Sequence, residues 1–123
     1  MTTYTVINSM SGAVEHSGLT DVQAAAVRLC HNGARYEMRR WPARDTARAQ
    51  CWALWIKRPG PHDWAQVQIG YPGGWKVAIA WAADADAAFA DLAVCIIYAQ
   101  WDRSPDVMTD AEYARDQAEL ARL

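Results

Sequence analysis

The sequence predicts an α+β fold, an antiparallel sheet of about five to six strands with two to three helices packed mainly on one face. Two strand-like runs and the short segments between them support this fold class. In Trp75–Trp81 large residues alternate with lysine and alanine, which is the period of two that a strand requires. Cys51–Ile56 is apolar on both faces, as in an interior strand. A further strand is predicted between them at Ala65–Ile69. No connection between these three successive strands is long enough for a parallel crossover, so they are predicted to be antiparallel.

The chain is predicted to open with a β-hairpin and a capped helix. Strands over Thr3–Met10 and Ala13–Ser17 are joined by a tight turn at Ser11-Gly12. Thr20 is then a good N-cap, and Gln23 completes a capping box at the third helical position. These local signals place a helix directly after the hairpin.

The middle of the chain is predicted to supply the rest of the sheet. Strands are expected at Arg35–Trp41, Cys51–Arg58, Ala65–Ile69 and Trp75–Trp81. The polar, arginine-rich segment Ala43–Ala49 is either a loop or a short helix, and Tyr71–Gly74 is a turn.

The longest helix is predicted to begin at Asp84 or Asp86 and to end near Gln100. It carries two apolar stripes, one of Ala85, Phe89, Leu92 and Ile96 and one of Ala90, Val94, Ile97 and Trp101. Two stripes predict a second contact besides the sheet, either a neighbouring helix or a homodimer through residues 84–101. A last helix follows, with Thr109 and Glu112 forming its capping box.

Length and composition predict one cytoplasmic domain, 1–123. The chain is 52% hydrophobic and 21% charged, as folded globular proteins are. Its longest apolar runs are about seven residues, far short of the ~20 that span a bilayer, and no signal-peptide pattern is present. The three cysteines are an odd number, which favours free thiols in a reducing compartment.

The net charge of −2 combines two halves of opposite sign. Residues 1–83 carry nine basic and five acidic side chains, a net +4, and residues 84–123 carry three basic and nine acidic, a net −6. This asymmetry predicts two surfaces of opposite charge.

Cys30-His31, Cys51 and His62-Asp63 are the candidates for a nucleophile, a base or a zinc site. The paired spacings of zinc modules and the local signatures of cysteine hydrolases are absent. We therefore expect that the chain is not an enzyme and that it has neither a metal site nor a cofactor.

Basic residues and tryptophans alternate through Arg35–Arg58, which is a pattern of single-stranded nucleic-acid binders. The binding residues in that case are Arg39, Arg40, Trp41 and Arg44. The competing interpretation places the tryptophans in the core and the arginines along an exposed sheet edge, where charge prevents aggregation.

An acidic set lies near the C-terminus and could imitate nucleic-acid phosphates on a basic protein partner. Its members are Asp102, Asp106, Asp110, Glu112, Asp116 and Glu119. The competing interpretation is a solvated helix face whose acids suit the helix N-terminus.

Seven tryptophans exceed what a core of this size needs. Some are therefore expected at the surface, where tryptophan beside arginine is typical of binding hot spots.

The whole outline resembles small accessory proteins of bacterial phages and mobile elements, among them anti-CRISPR proteins. The features concerned are the hairpin opened by Thr3–Met10 and Ser11-Gly12, the capped helices at the acid-rich end, and the alanine- and arginine-rich, lysine-poor composition of a GC-rich bacterial genome. The resemblance assigns no residue. It implies a non-enzymatic protein that binds and inhibits or regulates another protein, such as a CRISPR effector complex blocked at its nucleic-acid channel by the acidic end. The alternative is a nucleic-acid-binding module.

Overall fold

The computed structural model describes residues 1–41, 49–99 and 105–123. The elements in chain order are β1 (Tyr4–Ile7), β2 (Val14–Leu19), α1 (Asp21–Cys30), β3 (Arg35–Arg40), β4 (Gln50–Lys57), β5 (Ala65–Gln66), β6 (Gln68–Tyr71), β7 (Gly74–Val77), β8 (Ile79–Ala82), α2 (Ala85–Tyr98), β9 (Asp106–Thr109) and α3 (Asp110–Leu120). The α+β class is confirmed. The described residues form nine strands in three antiparallel sheets, which is more than the predicted five to six in one sheet.

The first sheet has the order β2-β1-β9. Strand β1 is the central strand, paired along both edges, and all four of its residues are buried. The predicted N-terminal hairpin is confirmed by the β1–β2 pairing. Strand β9 was not predicted, since its four residues are too few to show a period. Only its pairing with β1, from Tyr4 opposite Thr109 to Ile7 opposite Asp106, makes this segment a strand.

In the second sheet β4 is the central strand. Along one edge it pairs with the whole of β3, from Arg40 opposite Trp52 to Arg35 opposite Lys57. Its other edge is shared, because β8 pairs with residues 50–53 and β5 with residues 55–56.

The change of partner takes place at Leu54. Its N–H donates to the Ala78 carbonyl at 2.9 Å, and its carbonyl accepts from the Val67 N–H at 2.9 Å. The Ala78 N–H in turn donates to the Val67 carbonyl at 2.8 Å. Residues 65–82 therefore follow β4 as an edge strand from which a hairpin, β6–β7, protrudes.

Trp75 packs at this hairpin. The ring lies so close to the backbone of Gly70 that a Cβ at that position would be 3.3 Å from it. The side chain is nevertheless 66% exposed. Trp75–Trp81, predicted as one strand, is thus divided at Ala78 into the hairpin strand β7 and the sheet strand β8.

Helices α1 and α2 pack together and cover one face of the second sheet, here called the inner face. The register gives this face Tyr36, Met38, Arg40, Trp52, Leu54, Ile56, Ala80 and Ala82. The ring of Tyr36 stacks on Phe89 of α2, with centroids 4.6 Å apart. The capping box of α1 is present as predicted, with the Gln23 N–H donating to Thr20 Oγ1 at 3.2 Å. Helix α2 begins after its N-cap, Asp84.

Helix α2 packs against helix α1. A neighbouring helix was one of the two alternatives predicted from the apolar stripes of α2, the other being a homodimer. Phe89, Leu92 and Ile96 are buried as one stripe. The second stripe is divided, because Ile97 is also buried whereas Val94 is 46% exposed, and Trp101 lies outside the described residues. Homodimerisation through this helix stays a prediction.

Helix α3 packs mainly against the first sheet, through β9 and β1, and none of its residues is buried. Its predicted N-cap is confirmed, since the Glu112 N–H donates to Thr109 Oγ1 at 3.0 Å. Across the described segments of the chain, no helix has the length and apolar character needed to cross a membrane.

Candidate functional site

The face of the second sheet opposite the two helices is here called the outer face. The antiparallel register gives it Arg35, Glu37 and Arg39 of β3, Cys51, Ala53, Trp55 and Lys57 of β4, and Ile79 and Trp81 of β8. Trp64, from the segment between β4 and β5, lies over the same arginines. No helix of the described chain covers this face as α1 and α2 cover the inner one.

Small residues form the middle of the outer face and large ones its edge. Cys51 and Ala53 on the central strand are fully buried. Directly opposite them on β8 are Trp81 and Ile79, which are 43% and 38% exposed. Exposed large apolar residues that adjoin one another mark a surface able to gain free energy when a partner excludes water from it.

Strand β8 exposes these residues because its alternate positions are alanines that face the helices. Ala80 and Ala82 are buried in the core, as are Ala88 and Ala93 of α2. Small side chains allow the helix to lie close to the sheet. The period of two then directs Trp81 to the opposite face.

Arginine and tryptophan form a stacked layer beside this apolar edge. The guanidinium of Arg39 lies 4.6 Å from the ring centroid of Trp55 and 5.0 Å from that of Trp64. Arg35 lies 5.7 Å from the Trp64 ring. These distances are within the range of cation–π attraction, so the layer holds both tryptophans and arginines in fixed positions.

The outer face is basic. Arg35, Arg39 and Lys57 give three positive charges and Glu37 one negative charge, a net +2. Glu37 is ion-paired with Arg39 Nε. Its surface therefore combines positive charge with exposed apolar area.

The predicted basic set does not form one patch. Arg39 lies on the outer face, but its neighbour Arg40 lies on the inner one, 5.4 Å from the ring of Trp52. Consecutive residues of a strand point to opposite faces, and this separates the two arginines. Trp41 continues the β3–β4 ladder by donating its N–H to the Cys51 carbonyl at 2.8 Å, and Arg44 lies outside the described residues.

The predicted acidic set is also divided. Asp102 lies outside the described residues. Asp106 is exposed on β9, and Glu112 accepts from Thr109 Oγ1 at 3.0 Å as part of the α3 cap. Asp116 and Glu119 are exposed on the second half of α3.

Asp110 has an internal structural role. Its carboxylate accepts hydrogen bonds from the hydroxyls of Thr3 and Thr5 on β1. These two bonds, with a smaller one from the Gly18 backbone, hold the pKa of the Asp110 carboxyl below its ordinary value. The carboxylate therefore ties α3 to the first sheet and is not a freely presented charge.

The cysteine and histidine candidates do not assemble. Burial raises the pKa of the Cys30 thiol, which disfavours the reactive thiolate. His31 Nε2 lies 3.2 Å from Glu15 on β2. Across residues 1–41, 49–99 and 105–123 no three His, Cys, Asp or Glu side chains are grouped as metal ligands, and no disulfide joins Cys30, Cys51 or Cys95.

A groove of about 1330 Å³ lies between the helix ends and the β6–β7 hairpin, with Trp75 and Tyr98 in its lining. Arg28, also in the lining, donates to the carbonyls of Ile96 and Ile97 at the C-terminus of α2. Burial lowers the pKa of Arg28 and the charge of Asp106 opposes this shift. Arg28 therefore serves as a cap on the negative end of α2.

Comparisons with family models, with curated proteins and with solved structures gave no match. Function must therefore be inferred from the chain's own residues and geometry.

The sequence predicted exposed tryptophan beside arginine but not which tryptophans. Trp75 and Trp81 are the exposed ones among the six that the structure describes, and Arg35 and Trp64 were not assigned a role. One feature of the sequence could have indicated that Trp81 is exposed. An alanine-rich helix after Ala78, Ala80 and Ala82 favours small-on-small packing, which leaves the large residues of that strand facing outwards.

Proposed function

We propose that this chain is a non-enzymatic, cytoplasmic binding protein that recognises a protein partner through its outer face. The observation that supports this most is that exposed Trp81 and Ile79 share the outer face with the Arg39–Trp55–Trp64 stack, where Ala53 of the central strand lies between Ile79 and Arg39. Tryptophan and arginine are the residue types that dominate binding hot spots. Their fixed positions in the stack reduce the side-chain entropy lost on binding.

The test compares two exposed tryptophans. Tagged wild type, Trp81→Ala and Trp75→Ala would be used to capture proteins from a lysate of a GC-rich bacterial host, with and without nuclease. We expect a protein captured in stoichiometric amount by wild type and Trp75→Ala, resistant to nuclease, and lost with Trp81→Ala. Equal capture by all three proteins would contradict the assignment of the outer face.

The finer proposal is that the partner is a CRISPR effector complex or a related nucleic-acid-handling complex, which the resemblance to anti-CRISPR proteins suggests. Exposed Asp106, Asp116 and Glu119 support an acidic contact to a basic channel. Asp116→Lys with Glu119→Lys should then weaken capture of such a complex, and unchanged capture would argue against this identity. Asp110 is unsuitable for this test because its carboxylate supports the fold.

Single-stranded nucleic acid is a second candidate, favoured by the positive charge and tryptophans of the outer face. Against it, Arg39 already lies over the rings of both Trp55 and Trp64, where bases would stack. A fluorescence titration with a labelled oligonucleotide at two salt concentrations decides between the candidates. Binding that falls steeply with salt and depends on Trp81 would favour nucleic acid.

A further inference from the structure

The second half of α3 is exposed along its whole length. Glu112 and Tyr113 in its first turn are half-buried, whereas residues 114–120 are all exposed. At 100° per residue, Asp116, Glu119 and Leu120 continue the face that Glu112 and Tyr113 begin. Leu120 is 59% exposed. A helix of 11 residues is marginal in water by itself, so a covering surface would stabilise it.

The chemistry of this helix face matches the outer face. Helix α3 carries Asp110, Glu112, Asp116 and Glu119 against Arg115, a net −3. The outer face has a net charge of +2 and exposes Ile79 and Trp81 on the same side of the sheet as its arginines. Each surface therefore combines an apolar contact with charge, and the two charges are opposite in sign.

We infer that α3 of one copy of this chain docks on the outer face of a second copy. Leu120 would lie against Ile79 and Trp81, with Asp116 and Glu119 near Arg35 and Arg39. This inference rests on the proposed function, since it assigns one protein occupant to the same outer face.

Charge selects this arrangement over the direct pairing of two outer faces. Two faces of net +2 repel one another, whereas α3 and the outer face attract. The contact is between two different patches, so each copy offers one donor patch and one acceptor patch. Because its ion pairs are solvent-exposed, the association is weak and salt-sensitive.

The experiment is sedimentation equilibrium of the full chain at sub-millimolar concentration and low salt. Wild type should show an average mass that rises with concentration above the monomer mass of 13.7 kDa and falls on addition of salt. The donor variant Asp116→Lys with Glu119→Lys changes exposed positions, and the acceptor variant Trp81→Ala removes an exposed ring. Each should weaken self-association by roughly tenfold.

Mixing the two variants gives the sharpest outcome. The donor variant keeps an intact outer face and the acceptor variant keeps an intact α3, so an equimolar mixture should associate more strongly than either variant does alone. Circular dichroism checks that both variants are folded. Two controls are Asp86→Lys with Asp91→Lys, which makes the same charge change on α2, and Val94→Lys, which alters the exposed part of that helix.

A monomeric wild type would overturn the inference while leaving the proposed function to its own test by lysate capture. Self-association that is lost with Val94→Lys but kept in the donor and acceptor variants would overturn it too, in favour of the α2 interface. A mixture that stays monomeric would contradict the pairing of α3 with the outer face. Conversely, the chain could self-associate through Trp81 and capture no other protein from the lysate. In that case the protein bound by the outer face would be a second copy of this chain.

Discussion

Arg39 determines which parts of two tryptophan rings on the outer face a partner can contact. Its guanidinium lies over both Trp55 and Trp64, and its Nε is paired with Glu37. One face of each ring is thereby covered by a cation from the same chain. A partner meets the edges of the stack and the uncovered apolar residues beside it, which suits a protein surface better than a row of bases.

We predict that Arg39→Ala lowers the free energy of unfolding by about 1 kcal/mol, because two partly exposed cation–π contacts are lost. Arg35→Ala, which removes a single longer contact at 5.7 Å, should cost less than half of that. Urea unfolding followed by tryptophan fluorescence measures both. Equal costs would show that the stack contributes nothing specific to stability.

Asp110 gives the fold a defined dependence on pH. Its folded pKa lies below the ordinary value of 3.8, so its stabilising effect is complete above that value and is lost as the pH falls through the lowered pKa. Asp110→Asn should therefore destabilise the protein more at pH 7 than at pH 3. Thr5→Val, which removes one donor from the carboxylate, should reduce the same difference in part. Urea midpoints at the two pH values measure this, and an Asp110→Asn cost independent of pH would contradict the assigned role.

For single residues, the sequence indicated which types of side chain lie at the surface but not which face of the fold each one occupies. Arginine and tryptophan were expected at the surface, yet only the strand register separates Arg39 from Arg40. Asp110 resembled the other acids because nothing local to it shows that Thr3 and Thr5 come from the opposite end of the chain to meet it.

The helices show what local sequence determines. Thr20 with Gln23, Asp84, and Thr109 with Glu112 each begin a helix as local cap chemistry predicts. The helices differ, however, in how much they pack into the core. Helix α1 buries Ala24, Ala25 and Leu29, whereas α3 buries nothing.

Removing the two threonine caps should therefore have different effects. Thr20→Ala should lower the free energy of unfolding by about 1 kcal/mol, because α1 is part of the cooperative core. Thr109→Ala should reduce helical circular dichroism and speed amide exchange in α3, with little change in the urea midpoint. If both variants lower the midpoint equally, α3 unfolds together with the core and is not an independent element.

The strands depended on non-local contacts. The β1–β2 hairpin was predictable because its turn is local, but β9 is a strand only because β1 lies beside it. The division of Trp75–Trp81 at Ala78 likewise depends on Leu54, Val67 and Ala78 meeting at one point of β4. Sequence periodicity alone contains no information on such a junction.

For the whole molecule, the charge asymmetry of the sequence corresponds to separate surfaces. The outer face is formed from the basic part of the chain and α3 from the acidic part. The fold class was predictable from period, and the exposure of some tryptophans from their number. The arginines, however, lie against the half-buried Trp52, Trp55 and Trp64 and not against the exposed pair. The location of the binding surface was not predictable, because it depends on which face of the second sheet α1 and α2 cover.

The most direct test of the outer face as the binding surface is tryptophan oxidation footprinting of the bound protein, read by mass spectrometry. Trp75 and Trp81 are 66% and 43% exposed in the free chain, so both should be oxidised there. In the complex, whether with a captured partner or a second copy, Trp81 should become protected while Trp75 stays reactive. Protection of Trp75 alone, or of neither residue, would contradict the account.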